Sequence, residues 1–169
     1  MKRRDFLKFT CTTGLCASFL STSAFSETTP GSFWLNAFKD ENGRYGVARI
    51  SEDFKTDILF YSPVRLHGLT LHPNGTEILA PGRRPTPSLF VFDLKAQTTQ
   101  IVNAPEGHHF YGHAAFDAEG RFVYASENSY DEEKGVIGIY DSENSYKRVD
   151  EFDSNGIGPH QLLRINDTL

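Results

Sequence analysis

The sequence predicts an all-β chain: an incomplete β-propeller of about two and a half to three four-stranded blades, out of an expected seven. Three observations predict it. L-H-P-N-G-T-E-I-L-A (Leu71 to Ala80) returns as F-D-A-E-G-R-F-V-Y-A (Phe116 to Ala125), with Gly75 and Gly120 standing 45 residues apart. L-F-V-F-D, ending at Asp93, returns as I-G-I-Y-D, ending at Asp141, 48 residues later. G-P-H-Q-L-L-R-I-N-D (Gly158 to Asp167) opens a further copy that stops with the chain. Short strands repeating in the mid-forties are the mark of WD40/YVTN-like propeller blades. One blade cannot bury both faces of its own sheet, so such repeats imply a larger stack.

The elements follow in order. Phe33 to Phe38 is an apolar run that reads as an isolated strand, D-E-N-G (Asp40 to Gly43) as a turn, and Tyr45 to Ile50 as a second strand. Asp57 to Tyr61 closes a first, partial blade. His67 to Leu71 reads as an inner strand, H-P-N-G as its hairpin and Thr76 to Ala80 as the partner. Ser88 to Asp93 and a strand ending at Val102 complete that blade. The next blade runs through Ala114 to Phe116, D-A-E-G, Arg121 to Ala125, a polar loop, Val136 to Asp141 and Tyr146 to Phe152. β-branched and aromatic residues fill the apolar positions, and no segment sustains a helical period.

Residues 1–26 read as an export signal rather than as part of the propeller, which takes 27–169. Lys2 to Lys8 is basic and holds Arg3-Arg4 followed by Phe6 and Leu7. A modestly apolar run rich in hydroxyl groups follows, and Ala24-Phe25-Ser26 offers small residues at a cleavage site. That layout predicts the twin-arginine route and a periplasmic location. The apolar run is too short and too polar to span about 30 Å of hydrocarbon, so no stable membrane insertion is expected after cleavage. Both cysteines, Cys11 and Cys16, lie in this signal. The remainder holds 13 basic against 21 acidic residues, a net charge of −8. A surface that acidic disfavours nucleic acid as a partner.

Strand direction alternates across a blade, so the loop leading into its first strand and the loop joining its second and third strands share one end. The first kind comprises R-L-H-G (Arg65 to Gly68), G-H-H-F-Y-G-H (Gly107 to His113) and G-I-G-P-H (Gly156 to His160). The second kind comprises G-R-R-P (Gly82 to Pro85) and S-E-N-S-Y (Ser126 to Tyr130). The turns at the other end (H-P-N-G, D-A-E-G, D-L-K-A, D-S-E-N) carry ordinary turn chemistry. Function is expected at the first end.

Five of the six histidines (His67, His108, His109, His113, His160) fall there. Imidazoles facing a channel from successive blades suit iron, copper or zinc, or acid–base work. The alternative is that each fixes a loop–strand corner, which the equivalent blade positions of His113 and His160 favour. His72 reads as a turn residue. Arg83 and Arg84 suit a carboxylate or phosphate ligand, or else a bridge to acidic neighbours such as Glu127. Glu127 and Asn128 offer oxygen ligands to a hard cation, or a solvated loop or blade-to-blade contact. The candidate ligand-binding residues are therefore His67, Arg83, Arg84, His109, His113, Glu127, Asn128 and His160, with no catalytic residue assigned and the metal unknown. No phosphate-cradling G-x-x-x-x-G-K, no G-x-S-x-G elbow and no C-x-x-C-H occurs, so a covalent c-type haem is excluded in this chain and the cofactor is unknown.

R-x-H-G, R-R-P, H-F-Y-G-H, S-E-N-x-Y, G-V-I-G-x-Y-D and E-F-x-S-x-G-I-G-P-H, in that order over Arg65 to Gln161, resemble an uncharacterised family. Its members are twin-arginine-exported bacterial proteins with a domain of unknown function, predicted to be seven-bladed propellers. They often accompany imelysin-like and di-haem peroxidase-like proteins in iron-uptake neighbourhoods. Leu66, Thr86, Asn155 and Gln161 depart from the pattern, where glycine, glycine, histidine and glutamate are usual. The loop before Gln161 thus carries fewer metal-ligating side chains than the family pattern does. The family's later A-N-G-G and T-H-P-x-x-G-R segments are absent, so the chain reads as the N-terminal portion of a longer propeller. The resemblance implies a binding or accessory module rather than an enzyme, in an iron- or redox-linked periplasmic system. Its partner would be a periplasmic protein, a small ligand or a metal. A lactonase-like hydrolase, a quinoprotein-like dehydrogenase and a structural docking platform are the alternatives.

Overall fold

The computed structural model describes residues 31–165; the export signal expected over 1–26 lies outside them. Within this range the chain forms eleven strands in three antiparallel sheets. The first sheet holds β1 (Phe33–Lys39), β2 (Tyr45–Ser51) and β3 (Thr56–Ser62) in that order. The second holds β4 (Thr70–Leu71), β5 (Glu77–Pro81), β6 (Ser88–Asp93) and β7 (Thr98–Asn103). The third holds β8 (His108–Phe116), β9 (Phe122–Ser129), β10 (Lys134–Asp141) and β11 (Lys147–Asp153). Every sheet is a meander of sequential neighbours, the up-and-down topology of a propeller blade.

The period-2 alternation of the strands sorts side chains between the two blade interfaces. Ile78 and Ala80 of β5, with Phe90 and Phe92 of β6, face the first blade and pack with Val47, Phe60 and Leu66. Phe60 and Phe92 stack with their rings 5.0 Å apart. Leu79, Leu89 and Val91 face the other way, into a core with Phe110, Ala114, Phe116, Val123, Ala125, Tyr140 and Tyr146. The middle blade is therefore apolar on both faces, as the repeat requires.

Polar bolts join the blades at their turns. His72 is buried, its Nδ1 accepts from the Asn74 amide, and its Nε2 donates to the Gly120 carbonyl at 3.0 Å. The two repeated hairpins are thereby fastened to each other, so the histidine read as a turn residue is also an inter-blade bolt. Tyr146 donates to the Glu77 carboxylate across the same interface. Burial, then the hydrogen bond to Glu77, holds the Tyr146 hydroxyl well above the usual tyrosine range.

Two elements differ from the expected strands. The inner strand expected over His67 to Leu71 shrinks to Thr70–Leu71, because the Gly68 amide leaves its own blade and donates to the Gly112 carbonyl of the next at 2.8 Å. Phe33 to Phe38 is not isolated: β1 pairs with β2 along its whole length. Residues 154–165 carry no regular strand, although the repeat places a further inner strand near Gly158.

Candidate functional site

Three histidines from three successive repeats meet at one end of the blades. His67 precedes β4, His113 lies in β8, and His160 follows β11. One ligating atom from each lies within 4.8 Å of the others. The Nε2 atoms of His67 and His160 are 3.2 Å apart, and the three rings sit edge to face with centroids 4.8 to 5.3 Å apart. His113 Nε2 is buried and has no hydrogen-bond partner among the described residues. Ligand nitrogens at about 2.0–2.1 Å from a tetrahedral ion stand about 3.3 Å from each other. The His67–His160 edge already has that length, and the His113 ligand atom stands within 4.8 Å of both.

Local sequence explains why the rings converge. β8 loses its register with β9 between Phe110 and Ala114, so Tyr111 to His113 bulge out of the ladder. Gly112 turns there at φ +102°, a conformation that favours glycine, and a Cβ on it would lie 2.5 Å from the His67 ring. A Cβ on Gly68 would lie 2.7 Å from the Gly112 carbonyl and 2.8 Å from His113 Nδ1. The glycines of R-L-H-G and Y-G-H thus let the two backbones meet at Gly68 and Gly112, beside His67 and His113. Ser126, buried in β9, shares its hydroxyl proton between the His113 and His160 carbonyls, at 3.0 and 3.2 Å. Asn128 Oδ1 accepts from the Gly158 amide at 2.9 Å and holds the chain that returns with His160.

Burial, together with the neighbouring positive groups, keeps two of the rings easy to deprotonate. Burial first, then His160, Arg83, Arg65 and Arg84, lowers the pKa of His67. Burial first, then His67 and His160, lowers that of His113. Neutral imidazoles present the lone pairs that a metal needs.

Around this face stand Arg65, Arg83 and Arg84, all exposed. Arg83 and Arg65 are tied through the Arg83 amide and the Arg65 carbonyl at 2.6 Å. Arg84 lies over the Tyr111 ring, 4.7 Å from its centre, and donates to the Tyr111 hydroxyl. His109 is buried and stacks on Tyr130 at 4.1 Å, outside the histidine triad. Burial first, then Arg84 and His108, lowers its pKa.

Glu127 and Asn128 are not in a loop, as the sequence suggested: both lie within β9, which runs on to Ser129. Glu127 has no exposed surface. It accepts from the Tyr140 hydroxyl at 2.5 Å and from Arg148 Nη2 at 3.1 Å, and pairs with His108 Nδ1 at 3.2 Å. Neither Arg83 nor Arg84 reaches it. A Cβ on Gly138 would lie 2.7 Å from its carboxyl carbon, so the glycine of G-V-I-G makes its seat. Burial, then the Glu127 charge, drives the Tyr140 hydroxyl well above the usual tyrosine range. The sequence reading missed Tyr140 and Arg148. The cue was the -G-x-Y-D string one strand away from S-E-N, which brings Tyr140 to the Glu127 carboxylate. Ser126 and Tyr111 stand in the loop strings of the expected functional end but are not among the candidate residues.

A family model described as "Protein of unknown function (DUF1513)" matches residues 61–169. This is more than half of the chain, so the chain belongs to that family. No curated protein matches it. Among solved structures it is similar to the β-propeller domain of the Trilobed protease from Pyrococcus furiosus, at 13% identity and TM-score 0.52, over 72% of this chain and 38% of that one. It is similar to an apocarotenoid oxygenase from Synechocystis, at 11% identity and TM-score 0.54, over 71% and 29%. It is similar to the dihydro-heme d1 dehydrogenase NirN, at 14% identity and TM-score 0.50, over 70% and 27%. The chain spans well under half of each, and at such identity the likeness shows the propeller fold.

Proposed function

We propose that this member of the DUF1513 family is an exported, periplasmic propeller module that holds a transition-metal ion on His67, His113 and His160, in an iron- or redox-linked system. The observation that carries the reading is the convergence of three imidazoles from three repeats, with His113 Nε2 buried and unpartnered. A buried ring nitrogen without a partner is costly unless something binds it. Three nitrogen donors suit copper, zinc or iron rather than calcium or magnesium, which prefer oxygen. Three protein ligands also leave coordination positions for a further ligand. The twin-arginine layout of residues 1–26 supports the periplasmic assignment, and the resemblance in the loops supports the iron link. A lactonase-like site is not favoured, because Glu127 is buried on Tyr140, Arg148 and His108 of its own blade and Asn128 holds Gly158.

The test is equilibrium dialysis of the untagged full chain, with Cys11→Ser and Cys16→Ser so that no thiolate competes, against Cu(II), Zn(II) and Fe(II). One equivalent bound, and lost in H67A/H113A/H160A, is expected. Absence of stoichiometric binding for all three metals would refute the reading.

A further inference from the structure

The geometry points to a metal held together with an anion: the site takes a small carboxylate, or a carboxylate-type chelator, that bridges the ion on the histidine triad and the guanidinium groups of Arg65, Arg83 and Arg84. This rests on the metal reading above and names what completes it. Two observations carry it.

The first is charge. The triad contains no carboxylate, so three neutral imidazoles leave the charge of a divalent ion uncompensated. Arg65, Arg83 and Arg84 add positive charge around His67. A bare cation beside three guanidiniums is electrostatically unfavourable, and an anion between them reverses the sign of that term.

The second is how unusual these three arginines are in this chain. The protein is acidic, with a net charge of −5, and four of its other arginines pair with carboxylates. Arg44 pairs with Asp40, Arg49 with Asp57, Arg121 with Asp141 and Glu143, and Arg148 with Glu127 and Glu151. Arg65, Arg83 and Arg84 form no ion pair with any carboxylate among the described residues. Arg84 is instead braced on the Tyr111 ring and hydroxyl, and the Arg83 and Arg65 backbones are tied to each other. Guanidinium forks fixed at their bases but without an anion of the protein's own match the planar, two-oxygen geometry of a carboxylate.

The experiment uses the full chain with Cys11→Ser and Cys16→Ser, loaded with one equivalent of Cu(II) in a non-coordinating buffer. It is titrated with acetate, a carboxylate too weak a chelator to strip the ion, and followed by the copper electron paramagnetic resonance spectrum. Acetate is expected to shift the spectrum saturably. In R65Q/R83Q/R84Q the copper should stay bound, with an affinity in the absence of acetate no weaker than in the wild type, while the acetate dissociation constant rises by at least about tenfold. R65K/R83K/R84K, which keeps charge but loses the fork, should fall between the two. Far-UV circular dichroism checks that the exposed substitutions leave the fold intact. Equal acetate affinity in the wild-type and glutamine proteins overturns the arginine role. Acetate binding as tight in the metal-free protein, read by calorimetry, overturns the bridging role. Failure of the wild-type chain to hold copper at all refutes the triad reading itself and takes this inference with it.

Discussion

Replacing Glu127 separates a binding residue from a structural one. Its carboxylate is wholly buried and receives Tyr140 at 2.5 Å and Arg148 at 3.1 Å, with His108 at 3.2 Å. In Glu127→Ala the hydroxyl of Tyr140, a residue 2% exposed, loses its only hydrogen-bond acceptor among the described residues. An orphaned buried hydroxyl costs about 1–3 kcal/mol. Arg148 keeps Glu151 but loses its buried partner, and breaking a buried pair from one side typically raises the total to about 3–5 kcal/mol. Glu127→Gln retains an acceptor for Tyr140 and should cost about 1–3 kcal/mol. Adding Tyr140→Phe to Glu127→Ala removes the orphan, so the double variant should be more stable than the sum of the singles by at least about 1 kcal/mol. Urea unfolding at neutral pH followed by tryptophan and circular dichroism measures the wild type, the three single variants and the double variant. Glu127→Ala within 1 kcal/mol of wild type, with metal affinity lost instead, would refute this reasoning and return Glu127 to the site.

Three further outcomes are expected. Gly112→Ala should lower stability by about 1–3 kcal/mol, because its φ is strained for alanine and the new methyl meets the His67 ring, and it should weaken metal binding more than Gly75→Ala, remote from the triad, does; equal metal affinity in both contradicts this. Tyr146→Phe removes the hydrogen bond to Glu77 and should cost about 1–3 kcal/mol by urea unfolding. His109 has a pKa below 6.5 in the folded chain, so the unfolded chain takes up its proton first; its contribution is complete above pH 6.5 and is lost as pH falls from there towards the depressed folded value. Metal-free His109→Gln should lose less stability than wild type between pH 7 and 5.5, and parallel curves would contradict that assignment.

Fold was legible because the blade repeat writes itself as strands of period 2 and hairpins of fixed spacing. Leu79 and Ile78 could be assigned to opposite faces from alternation alone, and the structure puts them in opposite cores. The sorting of His67, His113 and His160 to one end followed from strand direction. What the strand pattern could not show was how far strands run into polar sequence. S-E-N-S reads as loop by composition, yet β9 carries it inside, because Tyr140 on the adjacent strand and Arg148 on the strand beyond it satisfy its carboxylate. The reverse happened at His67, where Gly68 takes a partner from the next blade and ends the strand early. The first difference comes from contacts across the strands of one blade and the second from a contact between blades, neither of which a strand's own alternation contains. The same holds for the 3.2 Å approach of His67 to His160, residues 93 positions apart.

The most direct test of the triad is X-ray absorption at the zinc edge of the full chain, with both cysteines replaced by serine, loaded with one equivalent of Zn(II). Three imidazole nitrogens at about 2.0–2.1 Å, falling to two in His113→Ala, are expected. A shell of oxygen donors, unchanged by His113→Ala, would contradict a metal centre built from His67, His113 and His160.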